Sequence, residues 1–396
     1  MQLILFDDYA RDNLLPLTFT RPVADLRVGI LTIGEKWEKY TGLSPSCLTR
    51  DYLSARYPVE AGKDNLLVNG SLLPHPDLVK VLAGLRIGSS LKSGNILLGA
   101  RMSLKEVMKF DAESWLEDAE EYKGTNSRVD YPWKIFSLNG QEIEADFQLL
   151  TRNRITAPLS TTVKILEPGN VFAEAGFKGE YFTLNASSGP IYLGRNSEIM
   201  EGSVIRGPFA LCEGSVVKLS AKIYGPTTIG PYCKAGGEIN NSVFHSNSNK
   251  AHDGFLGNAV IGEWCNLGAG TNNSNLKNNY AEVKAWNYPE ERFIRTELQF
   301  CGLIMGDHSK CGINTMFNTG TVVGVSANIF GSGFPRNFIP SFSWGGASGM
   351  TTYQLNKVFE AAELVMQRRG VELTSEDRAI LQHIFEDTAR YRESFT

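Results

Sequence analysis

Leu193-Gly194-Arg195-Asn196-Ser197-Glu198-Ile199-Met200-Glu201-Gly202-Ser203-Val204-Ile205 places an aliphatic residue at every sixth position. The spacing continues through Leu211, Val217, Ile223 and Ile229. It returns at Ile261 and Leu267, and again at Met305, Cys311, Phe317, Val323 and Ile329. Four residues after each aliphatic stands a small one: Ser197, Ser203, Ser215, Ala221, Thr227, Cys233, Cys265, Thr271, Ser309, Thr315, Thr321, Ala327 and Gly333, with Phe209 the departure. A period of six fits neither the 3.6-residue helix nor the two-residue strand. It predicts a triangular solenoid whose aliphatic residues fill the axis and whose small residues sit at the corners. Each coil then needs a neighbour on both sides to bury its ladder. The predicted hand is left, an exception to the right-handed crossover rule.

The register breaks twice, from about Ala235 to Val260 and from about Asn273 to Ile304, and both stretches read as loops leaving the wall, where function commonly sits. After Ile329 a segment rich in Gly, Pro and aromatics, Gly331 to Gly349, is expected to cap the last coil. Thr352 to Arg369 and Ser375 to Arg392 turn helical, with Leu355, Phe359, Ala362 and Met366 on one face. These helices are expected to cover the open end of the solenoid, since exposed sheet edges invite pairing.

The first 150 residues follow another pattern. Leu3-Ile4-Leu5-Phe6 and Leu66-Leu67-Val68 read as buried parallel strands, and Ser103 to Glu121 as a helix with Ser103 and Glu106 as its capping box. This is a small α/β head. The expected divisions are 1–155 for the head, 156–335 for the parallel β-helix and 336–396 for a cap with two helices.

Composition narrows the function. Charged residues are 21% of the chain and the net charge is −4, which argues against a dedicated nucleic-acid binder. No apolar run approaches the ~18 residues of a membrane span. Asp7 and Asp8 interrupt any leader-like start, and the six cysteines include no CxxC pair, so a cytoplasmic protein with reduced thiols is expected.

One segment carries motifs. His252 stands ahead of Gly254-Phe255-Leu256-Gly257, followed by Ile261-Gly262-Glu263-Trp264-Cys265-Asn266-Leu267-Gly268-Ala269-Gly270-Thr271 and then Asn275. This run resembles the acetyltransferase half of the bifunctional bacterial enzymes that make UDP-N-acetylglucosamine. Ile313-Asn314-Thr315 and Asn318-Thr319-Gly320 are closer to archaeal sugar-1-phosphate nucleotidyltransferases with the same helical tail. Leu14-Leu15-Pro16-Leu17-Thr18-Phe19-Thr20-Arg21-Pro22 is similar to the nucleotidyltransferase head of those proteins, so the head is expected to be a diverged, Rossmann-like α/β domain. The whole chain resembles a diverged branch of that family.

The resemblance implies acetyl-CoA-dependent N-acetylation of a hexosamine 1-phosphate at the solenoid of a homotrimer. His252 takes the place of the base, a role suited to a side chain that titrates near neutrality. Ala269 and Gly270 take the acyl-donor site, Asn266 and Asn275 hold the sugar, and Lys250 or Lys277 meets its phosphate. Phe255 replaces the family's tyrosine, and Asn240 or Asn241 a basic residue. Asn272, Asn273, Asn278 and Asn279 read as turn residues whatever the ligand.

In the head, nucleotidyltransferases cradle phosphates on a Gly-rich loop after the first strand. Here the first glycine is Gly29, Val23 replaces the family lysine, and Ser71 replaces the magnesium-binding aspartate. Arg11, Arg21 and Arg27 remain to bind an anion. Mg²⁺ is implied only if the head is active, with Asp7 or Asp8 holding it in another arrangement, and no metal is assigned otherwise. Sugar phosphates or nucleotide sugars are the expected partners. Two alternatives stand: a sugar-1-phosphate nucleotidyltransferase whose solenoid only trimerises it, and a non-catalytic trimeric sensor or scaffold. A zinc carbonic anhydrase of this fold needs three converging histidines, for which His245, His252 and His308 are the candidates.

Overall fold

A computed structural model describes residues 1–393. The chain divides into two compact units, one of residues 1–14, 20–26 and 31–131, the other of 15–19, 27–30 and everything from Pro132 onward.

The head unit is built on three parallel strands, β1 (Gln2–Phe6) lying between β2 (Pro45–Leu48) and β3 (Asn65–Asn69). Leu3 to Phe6 and Leu66 to Val68 are fully buried, as a parallel strand covered on both faces requires. Ile96–Met102 runs antiparallel to β3, Ser89–Ser93 antiparallel to that, and Glu120–Glu121 completes a six-stranded mixed sheet. The single helix expected from Ser103 to Glu121 is instead two short ones, Leu104–Val107 and Ala112–Glu117. The Ser103/Glu106 capping box is present. The break comes because Phe110 turns in against Phe6, with ring centroids 4.9 Å apart, and Asp111 starts a new cap by accepting from the Ser114 N–H.

The solenoid unit has three walls of short parallel strands. The first wall stacks nine strands, from Val171–Ala173 to Phe338–Ile339. The second stacks ten, from Lys178–Gly179 to Gly349–Thr352, the last of them antiparallel. The third stacks six, from Lys164–Leu166 to Phe255–Gly257, and then a separate pair, Asn272–Asn273 with Met316–Phe317. Strand registry assigns the sixth-position residues to axial columns. Leu193, Leu211, Ile229, Phe244, Ile261, Met305, Val323 and Ile339 align on the first wall. Leu184, Ile205, Ile223, Ile239 and Leu256 align on the third. All belong to one buried core. The small residues sit just after the turns, and their hydroxyls cap corner carbonyls: Ser215 Oγ donates to Gly230 O and Ser309 Oγ to Gly324 O, both at 2.6 Å. Gly333 alone of that series is exposed.

Three expectations are corrected here. The 235–260 stretch does not leave the wall. Its coils continue with Ala235, Ile239, Phe244, Lys250 and Leu256 facing inward, but the corners after Ala235, Ile239 and Leu256 lose one or two residues, so the six-residue spacing disappears while the axis does not. The segment after Ile329 forms a further coil, with Ile339 in the core, where a cap was expected. The helices Leu355–Gln367 and Ser375–Asp387 bury Val358, Ala362, Met366, Ile380, Leu381 and Ile384. They lie along the flank, because Arg369 donates to Tyr232 O at 2.6 Å and to Asn249 Oδ1 at 3.1 Å in the middle coils. The region also meets the last coil at both ends, Tyr353 N donating to Phe342 O at 2.7 Å and Phe385 lying edge-on to Phe342 at 5.1 Å.

The 273–304 stretch leaves the wall as expected and forms a hairpin, Lys284–Asn287 against Arg292–Arg295. The helix Pro132–Thr151 belongs to the solenoid unit and covers the outside of the first wall. Ile143 and Phe147 pack with Phe172, Tyr192 and Ala210, and Asn139 Oδ1 accepts from Gly29 N at 2.8 Å and Thr228 Oγ1 at 3.1 Å. Among the described residues no helix is long and apolar enough to cross a membrane.

Candidate active site

His252 sits on the corner joining the second wall strand Asn249–Lys250 to the third wall strand Phe255–Gly257, and its side chain is exposed. The corner of the coil before it is only Gly236-Gly237. A Cβ on Gly237, whose φ is +74°, would stand 2.9 Å from the His252 carbonyl oxygen, so the close stacking of these corners requires glycine there. The corner of the coil after it is Ala269-Gly270, and Gly270 N donates to Asp253 O at 2.9 Å. Small residues therefore flank the imidazole on both sides and leave it open.

His252, Ala269 and Gly270 are thus brought together. The Gly270 N–H is engaged by Asp253, whereas the Ala269 N–H has no acceptor among the described residues. An unengaged N–H at a rigid turn is the group an oxyanion needs.

Lys250 corrects the sequence reading most sharply. It occupies the axial column of the second wall, paired with Ala235, and is 1% exposed. Its ammonium donates to Gly236 O at 3.0 Å and His252 O at 2.8 Å. Burial pushes its pKa down to about 8, with Asp253 opposing. It cannot reach a sugar phosphate outside the wall. It holds one carbonyl of the His252 corner and one of the Gly236-Gly237 corner before it.

The other predicted residues spread along the walls. Asn266 is exposed on the second wall, in the outward column between Asn249 and Lys310. Asn275 stands past the far end of the third wall, where its Nδ2 donates to Asn258 Oδ1 at 2.8 Å. Lys277 lies at the root of the hairpin insertion, its Nζ donating to Glu282 O at 2.7 Å. Asn272 and Asn273, expected in a turn, form a strand. Asn273 is 3% exposed, donates to Gly257 O and accepts from Gly257 N, so an amide side chain supplies both ladder bonds where the third wall changes sheets.

His245 is buried and its Nε2 accepts from Arg27 N at 3.3 Å, while His308 stacks on Trp264. No cluster of three His, Cys, Asp or Glu side chains is placed to hold a metal among the described residues. Arg27, expected to meet an anion in the head, belongs to the solenoid unit and is buried there.

The head carries its own cavity of about 840 Å³ at the carboxyl ends of β1, β2 and β3. Strand order reverses around β1, which is where open α/β sheets bind ligands. Asp7, Asp8, Tyr9, Arg11, Thr49 and Asn69 line it. Arg11 is 4% exposed, 3.5 Å from Asp7, and donates to Tyr52 Oη. Burial pushes the Asp7 carboxyl up to about 6, against the lowering effect of bonds from Thr49 and Val23 N. Asp8 is tied to Asn69 at 2.9 Å and Arg128 at 3.2 Å. Both carboxylates are engaged by protein donors, and Ser71 donates to Asn69, so the arrangement does not fit a magnesium site. Arg21 is buried in the head and is not among these lining residues. Sequence reasoning missed Gly236, Gly237, Thr49, Tyr52 and Arg128. Only the paired glycines, which fall where the period shortens, carried a signal.

Residues 3–155 match the model of a family described as sugar nucleotidyl transferase. No curated protein matches the chain by sequence. Among solved structures, the Arabidopsis UDP-N-acetylglucosamine acyltransferase is 16% identical, over 60% of this chain and 97% of that one, with a TM-score of 0.23. The Francisella novicida UDP-N-acetylglucosamine acyltransferase is 13% identical, over 60% and 87%, at 0.30. The polysialic-acid-specific acetyltransferase NeuO is 12% identical, over 53% and 100%, at 0.28.

Proposed function

We propose that the protein is a transferase acting on sugar phosphates or nucleotide sugars, and that its solenoid transfers an acetyl group from acetyl-CoA to the amine of a hexosamine 1-phosphate. The observation that carries this reading is the exposed His252 set between two corners of small residues, with the Ala269 N–H unengaged beside it. The amine nitrogen attacks the thioester carbonyl carbon while His252 takes its proton. The carbonyl oxygen, negative in the tetrahedral intermediate, faces the Ala269 N–H. The C–S bond then breaks and the thiolate leaves, to be protonated. Asn266 and Asn275 are assigned to the sugar. A homotrimer with shared clefts, in the cytoplasm, is part of the proposal.

The test is free-thiol release from acetyl-CoA with a panel of amino-sugar phosphates. Release that requires the amino sugar and falls about 10²- to 10⁴-fold in His252→Ala, the range expected of a lost general base, supports the reading. A folded protein that releases no thiol with any acceptor overturns it. Nucleotidyl transfer in the head is the second reading, favoured by the family match over 3–155 and the cavity at the ends of β1 to β3. Nucleotide-dependent pyrophosphate exchange tests it.

A further inference from the structure

The hairpin insertion does more than leave the wall. Between it and the corner that leads to Phe338 lies a cavity of about 710 Å³. Its lining brings together three cations, Lys277, Lys284 and Arg336, and three aromatic rings, Trp286, Phe293 and Phe338, with no carboxylate. None of the three cations forms an ion pair among the described residues. Trp286 stacks on Phe338 at 4.1 Å and 9°, and Phe293 stands edge-on to Trp286 at 5.5 Å. The Trp286 indole N–H is buried without an acceptor, an arrangement that normally costs free energy unless a partner arrives.

Unpaired cations answer phosphates, and an aromatic wall answers a planar base. The volume lies within the 300–1,000 Å³ typical of small-ligand sites. A structural explanation fails on charge, since a hairpin that merely packs against the wall has no need to collect three like charges at one opening.

We propose that this cavity binds a nucleoside diphosphate group, the base against the Trp286–Phe293 wall and the phosphates on Lys284, Arg336 and Lys277. That chemistry is common to coenzyme A and to nucleotide sugars. The site shares no lining residue with the His252 corner or the head cavity, and it does not depend on acyl transfer.

Calorimetric titration of the full chain with ADP, coenzyme A and UDP tests it, with inorganic pyrophosphate as the probe lacking a base. The expected result is a nucleotide site that Lys284→Ala/Arg336→Ala weakens about tenfold or more, as loss of two charge-assisted contacts predicts. Trp286→Phe, which keeps an aromatic ring and removes the N–H, weakens it about threefold. Pyrophosphate binds at least about tenfold more weakly than the nucleotides, the ring having no part to play. Tighter binding of coenzyme A identifies the acyl donor as the source, and tighter binding of UDP a nucleotide sugar. Unchanged affinity in the folded double variant, or pyrophosphate equal to the nucleotides, overturns the proposal. Thiol release from acetyl-CoA is measured separately from these affinities, so failure of the acyl-transfer reading and failure of this one are distinguishable.

Discussion

In the coils from Ile191 to Ile229 every axial residue is apolar and each step is six residues, whereas the coils from Ala235 to Asn273 share the same axis but carry Lys250 and Asn273 on it. The second group also contracts its corners, one of them to Gly236-Gly237. Both groups are buried and parallel, so fold alone does not explain the difference. In the regular coils the axial side chains only pack. In the altered coils the axial side chains hydrogen-bond the backbone: Asn273 replaces two ladder bonds of Gly257, and Lys250 holds the carbonyls of Gly236 and His252. The candidate active site sits on the altered coils, where the axis positions backbone atoms as well as filling space.

The sharpest test of that contrast begins in the regular coils. Ile223 is 1% exposed on the third-wall column. Ile223→Ala is expected to cost about 3–4 kcal/mol, from lost burial and the cavity left behind. Urea denaturation measures it, and a loss below about 1 kcal/mol would mean that these coils collapse around voids and are not limited by packing.

Asn273→Leu asks the opposite question in the altered coils. Leucine keeps the branched shape, is larger and is more apolar, so an axis limited by apolar burial would gain. The Gly257 N–H and carbonyl would be left unpaired inside the wall, and about 2 kcal/mol of destabilisation is expected. A neutral or stabilised variant, by the same denaturation, would show that the altered coils follow the rule of the regular ones.

The sequence revealed the regular coils and concealed the altered ones for one physical reason. A hexad is visible when each wall keeps its length and each inward residue is apolar, as from Leu193 to Ile229. Short corners at Gly236-Gly237 and an inward lysine erase the signal without changing the topology. The same erasure made Lys250 look like a surface cation fit for a phosphate. The nearness of His252, Ala269 and Gly270 was legible because their motif lies within two consecutive corners. The cavity of the hairpin was not, because Lys284, Trp286 and Arg336 meet only through the antiparallel pairing of the insertion and a coil some fifty residues on. In the head, β1 and β3 were legible as unbroken apolar runs. The 103–121 helix was misjudged because Phe110 gains more by burial on Phe6 than by continuing a helix.

Lys250→Met makes the smallest change in stability and separates positioning from packing. Desolvation lowers the ammonium's pKa from 10.5 to about 8. The unfolded chain therefore keeps its proton to higher pH than the folded one. That difference disfavours the native state by up to about 3 kcal/mol below pH 8, and the penalty is relieved as pH rises from about 8 to 10.5. Methionine removes the penalty but leaves Gly236 O and His252 O without their donor, at about 1–3 kcal/mol each. The two effects offset, so at pH 7 the variant is expected within about 1 kcal/mol of the wild type. Between pH 7.5 and 9.5 the wild type should gain on it, which denaturation at the two values measures; parallel behaviour would mean that the lysine is not a buried cation. Acyl transfer gives the second readout. Freed from its tether, the His252 corner is expected to lose about tenfold in kcat with KM unchanged, because a misplaced base affects the proton transfer and not substrate binding. A variant with full activity would leave Lys250 as a filler of the axis, and the altered coils would then differ from the regular ones in composition alone.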